Sequence, residues 1–114
     1  MNLLEMIFGK QSAAISPTEL NEKLKNGKKP FLLDVRQPHE YNQSHINGAK
    51  LIPLGELSSR LNELPKDKEI ICVCASGNRS GSATKMLLNA GYNAVNMKGG
   101  MLSWRAARLP VKKG

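Results

Sequence analysis

One stretch constrains the fold of this chain more than any other: EIICVCASGNRSGSATKMLLNAG, from Glu69 to Gly91. Ile70, Ile71, Cys72 and Val73 form a short apolar run rich in β-branched residues, which suits a strand buried on both faces. From Ser80 to Ala90 the spacing of Ala83, Met86, Leu87 and Ala90 predicts a helix, and Gly91 supplies its C-terminal stop. A buried strand that passes almost directly into a helix is the unit of an α/β architecture. The connecting loop, Cys74-Ala75-Ser76-Gly77-Asn78-Arg79, carries a thiol at its entrance.

A strand that turns straight into a helix leaves unpaired backbone N–H groups at the helix start, and the aligned peptide dipoles make that end partly positive. Ala75, Ser76, Gly77 and Asn78 are small or tolerant of left-handed conformations, so the backbone can curl until its N–H groups share a centre. A sulfur at that centre is held as thiolate and becomes a nucleophile near neutral pH. Arg79 adds a full positive charge. Cys74 is therefore the candidate nucleophile, although a free cysteine is more often a small buried hydrophobe. Cys72 lies inside the apolar run and is assigned to the core. A Cys72–Cys74 disulfide is disfavoured, because a single intervening residue in extended chain sets the geometry badly.

Several separate stretches resemble the single-domain rhodanese-like sulfurtransferases, from about Ile15 to Val111: Leu33-Asp34-Val35-Arg36 with Glu40-Tyr41, Ser44-His45-Ile46-Asn47-Gly48-Ala49, Cys74 to Ser80, and Gly99-Gly100 ahead of Trp104 and Leu109-Pro110-Val111. The resemblance implies a three-layer sandwich, a five-stranded and mainly parallel sheet with helices on both faces and the Cys loop at its C-terminal edge. It also implies a thiosulfate sulfurtransferase working through a Cys74 persulfide. Ala75, Ser76, Gly77, Asn78, Arg79 and Ser80 would cradle the sulfur and its donor, and Asp34 and Arg36 would brace neighbouring loops. A small anionic donor and a nucleophilic acceptor (cyanide, a thiol or a protein dithiol) are the implied partners, with no metal or organic cofactor. In cysteine-based phosphatases and arsenate reductases of the same architecture the Arg stands one residue further from the Cys. The shorter loop here resembles the sulfur-carrying version. A phosphatase or arsenate reductase, or a non-catalytic protein-binding module, are the alternative classes.

Charge bears on the substrate. Residues 1 to 69 hold ten Lys or Arg against nine Asp or Glu, whereas Ile70 to Gly114 holds seven basic residues and no acidic one. A positive field around the loop would steer small anions inward. The basic residues are not interleaved with aromatics, which speaks against nucleic acid. With 114 residues there is chain for one domain with a core. Two cysteines in a C-x-C arrangement, no secretory signal pattern and no apolar run of membrane-spanning length predict a reducing, cytoplasmic setting.

The remaining elements follow from local pattern. Met1 to Lys10 contains Leu3, Leu4, Met6, Ile7 and Phe8; residues 1–11 are expected to form a short arm or helix packed on a domain of residues 12–114, with self-association the alternative. Ser12 to Ile15 reads as an edge strand. Ser16-Pro17-Thr18-Glu19 is a capping box with Pro at the first helical position. Phe31 to Val35, Lys50 to Pro53 and Ala94 to Met97 read as further strands. Leu54, Leu57, Leu61 and Leu64 predict one amphipathic helix. Asp34 and Arg36 fall at the C-terminal end of their strand, where sites gather in open α/β sheets. His39 is expected at the surface. His45 is expected to bond loop backbone rather than to serve as a base for Cys74, since a thiolate activated by a helix end needs none. Trp104 is expected in the core.

Overall fold

A computed structural model describes residues 14–27 and 29–114. The arm expected over residues 1–11, its self-association, and the first two residues of the strand expected from Ser12 lie outside the described residues.

Five strands, β1 (Ala14–Ile15), β2 (Phe31–Asp34), β3 (Lys50–Leu51), β4 (Ile70–Val73) and β5 (Ala94–Met97), form one sheet in the order β1-β5-β4-β2-β3, and every pairing is parallel. The helices are α1 (Pro17–Lys25), α2 (Pro38–Gln43), α3 (Leu54–Leu57), α4 (Asn78–Asn89) and α5 (Gly100–Ala106), with a 3₁₀ turn at Leu61–Glu63. β4 is central because its four residues are all buried, and it pairs Leu33 with Cys72 on one side and Asn96 with Cys72 on the other.

Side chains alternate across the pleat, so β4 feeds both layers. Ile70 and Cys72 join Ala83 and Leu87 of α4, Leu57 of α3 and Leu64 in one core. Ile71 and Val73 join Leu20 of α1 and Met101 and Trp104 of α5 in the other. Trp104 is buried, as expected, and its indole N–H donates to the Pro110 carbonyl at 2.8 Å.

Two local departures have physical causes. The leucines from Leu54 to Leu64 do face the core, but in two short pieces rather than one helix. Ser59 Oγ takes the Glu56 carbonyl at 2.9 Å and the Tyr92 hydroxyl takes that of Leu61 at 2.7 Å, so side chains satisfy acceptors that a continuous helix would have used. The active helix starts at Asn78, two residues before the expected Ser80, because left-handed Gly77 (φ 102°) lets the chain enter the helix early.

β2 runs on to β3 at one edge, whereas β4 runs on to β5 in the other direction. The crevice between the C-terminal ends of β2 and β4 is thus the switch point where sites form in open parallel sheets. The Cys74 loop leaves β4 there and the Asp34–Arg36 turn leaves β2. A separate cleft of about 330 Å³, lined by Leu24, Leu32, Ile46 and Trp104 among others, lies toward the opposite end of the strands and includes no loop residue. Among the described residues no helix is long and apolar enough to cross a membrane.

Candidate active site

Cys74 follows the last residue of β4 and has no exposed surface. Its Sγ accepts the Gly77 amide at 3.0 Å and the Ser80 hydroxyl at 3.1 Å. Burial pushes the thiol up, but hydrogen bonds from the Ser80 hydroxyl and from the amides of Ser80, Gly77 and Ser76 outweigh it and bring Cys74 below the ordinary thiol value. Cys72 provides the contrast within the same strand. Burial pushes it up to about 12, against a weaker opposing hydrogen bond from Thr84. The two sulfurs are separated by one residue and by how many donors face them.

The loop's donors face the sulfur because its acceptors are occupied elsewhere. At the start of α5 the Met101 amide donates to the Cys74 carbonyl at 2.7 Å and the Leu102 amide to the Ala75 carbonyl at 3.0 Å. Gly100 makes this approach possible: with φ +59°, a Cβ there would strike the Cys74 carbonyl oxygen and lie 2.5 Å from the Ala75 carbonyl. On the other side Asn96 Nδ2 donates to the Gly77 carbonyl at 3.2 Å.

Of the expected loop residues, Ser80 is buried against the sulfur, Gly77 and Ser76 supply amides, and Ala75 contributes its clamped carbonyl. The Ser76 and Asn78 side chains are exposed. Arg79 is held by a residue that local pattern did not single out. Its Nη1 and Nη2 bond Glu40 Oε1 and Oε2 at 2.8 and 2.9 Å, and this fork holds the Glu40 carboxyl down at about 2. Glu40 Oε1 also accepts the Gln37 amide at 2.9 Å, closing the capping box of α2. A Gln at 37 with a Glu three residues on was the available signal.

Asp34 and Arg36 form a buried pair. Arg36 Nε bonds Asp34 Oδ1 at 2.9 Å and Nη2 bonds Oδ2 at 2.7 Å, while Nη2 also reaches the Ser44 carbonyl at 2.8 Å and Nη1 the Glu40 carbonyl at 3.3 Å. The pair ties the end of β2 to the middle and the C-terminal end of α2, and so braces the helix from which Glu40 holds Arg79. His45 Nδ1 lies 2.9 Å from the Tyr41 carbonyl, and its ring stacks on Tyr41 at 3.7 Å with 6° between planes. His39 is exposed.

The rhodanese-like domain model matches residues 16–107, which take in the Asp34–Arg36 turn, the Cys74 loop and the clamp at Gly100. The chain belongs to the rhodanese-like domain family. It is 35% identical to the putative sulfurtransferase YtwF of Bacillus subtilis over 84% of this chain and 93% of that protein. It is 37% identical to the probable adenylyltransferase/sulfurtransferase MoeZ of Mycobacterium tuberculosis over 88% of this chain, spanning only 26% of that longer protein. The crystal structure of a rhodanese-related protein from Thermoplasma volcanium superimposes with a TM-score of 0.82 at 35% identity, covering 87% of this chain and 96% of its own. The rhodanese fold and the kinship with proteins named sulfurtransferases thus agree with the expectation from motif order.

Proposed function

We propose that this rhodanese-like domain is a thiosulfate-type sulfurtransferase that carries sulfane sulfur on Cys74. The supporting observation is the pair of short hydrogen bonds to Sγ, from the Gly77 amide at 3.0 Å and the Ser80 hydroxyl at 3.1 Å, at the start of α4. Donors that close stabilise a sulfur anion, and the loop, with four residues between Cys74 and Arg79, resembles the sulfur-carrying version rather than the longer oxyanion-binding one.

In the first half-reaction the Cys74 thiolate attacks the outer sulfur of thiosulfate. A new S–S bond forms, the donor's S–S bond breaks, and sulfite leaves with the electron pair. The persulfide anion takes the place of the thiolate among the amides of Ser76, Gly77 and Ser80. In the second, an acceptor nucleophile attacks the outer sulfur and Cys74 Sγ departs as thiolate. Since Sγ has no exposed surface, donor entry requires the Cys74 side chain to turn or the loop to yield at Ser76 and Gly77. Arg79 and Ser76 are the donor contacts in this scheme, and Arg79 must share its guanidinium with Glu40. A reducing compartment such as the cytoplasm would keep Cys74 available.

Intact-mass analysis after thiosulfate exposure tests the reading. The expected result is the gain of one sulfur atom on Cys74, its removal by a dithiol, and no gain in Cys74→Ser. Equal loading of Cys74→Ser would overturn the assignment.

A further inference from the structure

We propose that the face formed by Leu102, Arg105 and Lys112 beside the Cys74 loop docks an acidic protein segment that presents a thiol to the Cys74 persulfide; this rests on the sulfur-transfer reading. Leu102 is 65% exposed although its amide is bonded to Ala75 in the wall of the site. It is an apolar surface group on the helix whose start clamps the Cys74 loop. Arg105 follows three residues later on the same helix, so the two side chains are neighbours. Arg105 Nη1 stands 3.5 Å from Ser44 Oγ, and the next residue, His45, pairs with Lys112 through backbone bonds of 2.9 and 2.8 Å. An apolar centre with a cationic rim thus runs from the loop across the end of α2.

The sign of the partner follows from which carboxylates are already engaged. Glu40 is forked onto Arg79 and Asp34 is buried against Arg36. No acidic residue occurs between Ile70 and Gly114, and among the described residues neither Arg105 nor Lys112 has a carboxylate within 4.0 Å. The rim's charge is therefore not cancelled locally. Complementary charge across a contact raises encounter rates and selects partners. A second copy of this basic face would be repelled, and a small acceptor such as cyanide needs none of it.

In the transfer step the peptide thiolate attacks the outer sulfur of the Cys74 persulfide, which passes to the peptide as Cys74 Sγ leaves as thiolate. The test compares discharge of preformed persulfide by short cysteine peptides flanked by glutamates or by lysines, with cyanide as a third acceptor. The persulfide is installed with inorganic polysulfide, so the result does not depend on thiosulfate being the donor. Flanking charge also alters the peptide thiol, so the readout is the glutamate-to-lysine rate ratio in wild type divided by that in Arg105→Glu/Lys112→Glu. This quotient is expected to be about tenfold or more at low salt and to approach unity in high salt, with cyanide discharge changed far less than that of the glutamate peptide. Leu102→Ser is expected to slow the glutamate peptide relative to cyanide. A quotient of one, with normal cyanide discharge, would overturn the docking face and leave the sulfurtransferase reading standing. Failure of Cys74 to hold sulfur even from polysulfide would remove both.

Discussion

Ser80→Ala removes the one side-chain donor to Cys74 Sγ among the described residues. Ser80 has no exposed surface and its Oγ lies 3.1 Å from Cys74 Sγ, so water does not replace the hydroxyl when it is removed. A hydrogen bond to a charged acceptor is worth about 1.5–3 kcal/mol. At about 1.4 kcal/mol per unit, the Cys74 thiol should rise by about one to two pH units. The amides of Gly77, Ser76 and Ser80 remain, so the thiolate is weakened rather than lost. The assay is the pH profile of Cys74 alkylation by iodoacetamide, read by peptide mass. Cys72, pushed up to about 12, stays silent through the accessible range. A full profile is needed because the more basic thiolate is also more nucleophilic, which offsets about half of the logarithmic rate loss at neutral pH. Stability supplies an independent sign. A thiol depressed in the folded state contributes stability that is present above its unfolded value and lost as pH falls through the folded one. Ser80→Ala should therefore gain less stability than wild type as pH rises toward 9. A midpoint that stays put or moves down would refute the role given to the hydroxyl and leave activation to the backbone alone.

Other substitutions follow from the same geometry. Gly100→Ala forces a Cβ to within 2.5 Å of the Ala75 carbonyl at φ +59° and should cost about 3 kcal/mol in denaturant unfolding, together with persulfide loading; Gly55→Ala, with nothing within 4 Å, should be neutral or slightly stabilising. Arg36→Met strands the buried Asp34 carboxylate and should cost about 3–5 kcal/mol, most of it recovered in the Asp34→Leu/Arg36→Met double variant. Arg108 occupies the left-handed position of a Schellman turn at φ 58°, where Arg108 N–H bonds the Arg105 carbonyl and Leu109 N–H that of Trp104. Arg108→Gly should raise the denaturation midpoint by an amount equivalent to about 1 kcal/mol.

The parts of the fold visible in the sequence are those whose signals are local and unopposed. Ile70–Val73 could hardly be anything but a buried strand, and the Ser16–Glu19 box fixed the start of α1. The four leucines from Leu54 to Leu64 were read correctly as inward-facing and incorrectly as one helix, because two short turns satisfy the same spacing. The helix after the Cys74 loop starts two residues before its apolar spacing predicts, since the left-handed entry at Gly77 is set by its close approach to Gly99, whose N lies 3.2 Å from a Cβ placed at Gly77. Non-local partners were less visible. A Glu at position 40 looks like any capping residue until α2 is placed against α4, and nothing in Asn96, Met101 or Leu102 themselves marks them as holding a loop 19 to 27 residues away.

Two helix starts divide the work at Cys74. Those at α4 provide donors to the sulfur, and those at α5 occupy the acceptors that would otherwise turn toward it. The second contribution matters as much as the first, because a peptide carbonyl facing an anion opposes it about as strongly as an amide favours it. Gly100 is thereby part of the electrostatics of the site even though it does not touch the sulfur. Arg79, the obvious cation, is forked onto Glu40, so the resting thiolate is favoured first by the hydrogen bonds of Ser80, Gly77 and Ser76, with the charge attraction of Arg79 secondary. Dipoles of this kind stabilise a sulfur anion at short range, and they remain in place when thiolate is replaced by persulfide. On the proposed function, a carrier that takes up sulfur and then gives it away gains from such even-handed stabilisation, since neither the loaded nor the empty state becomes a trap.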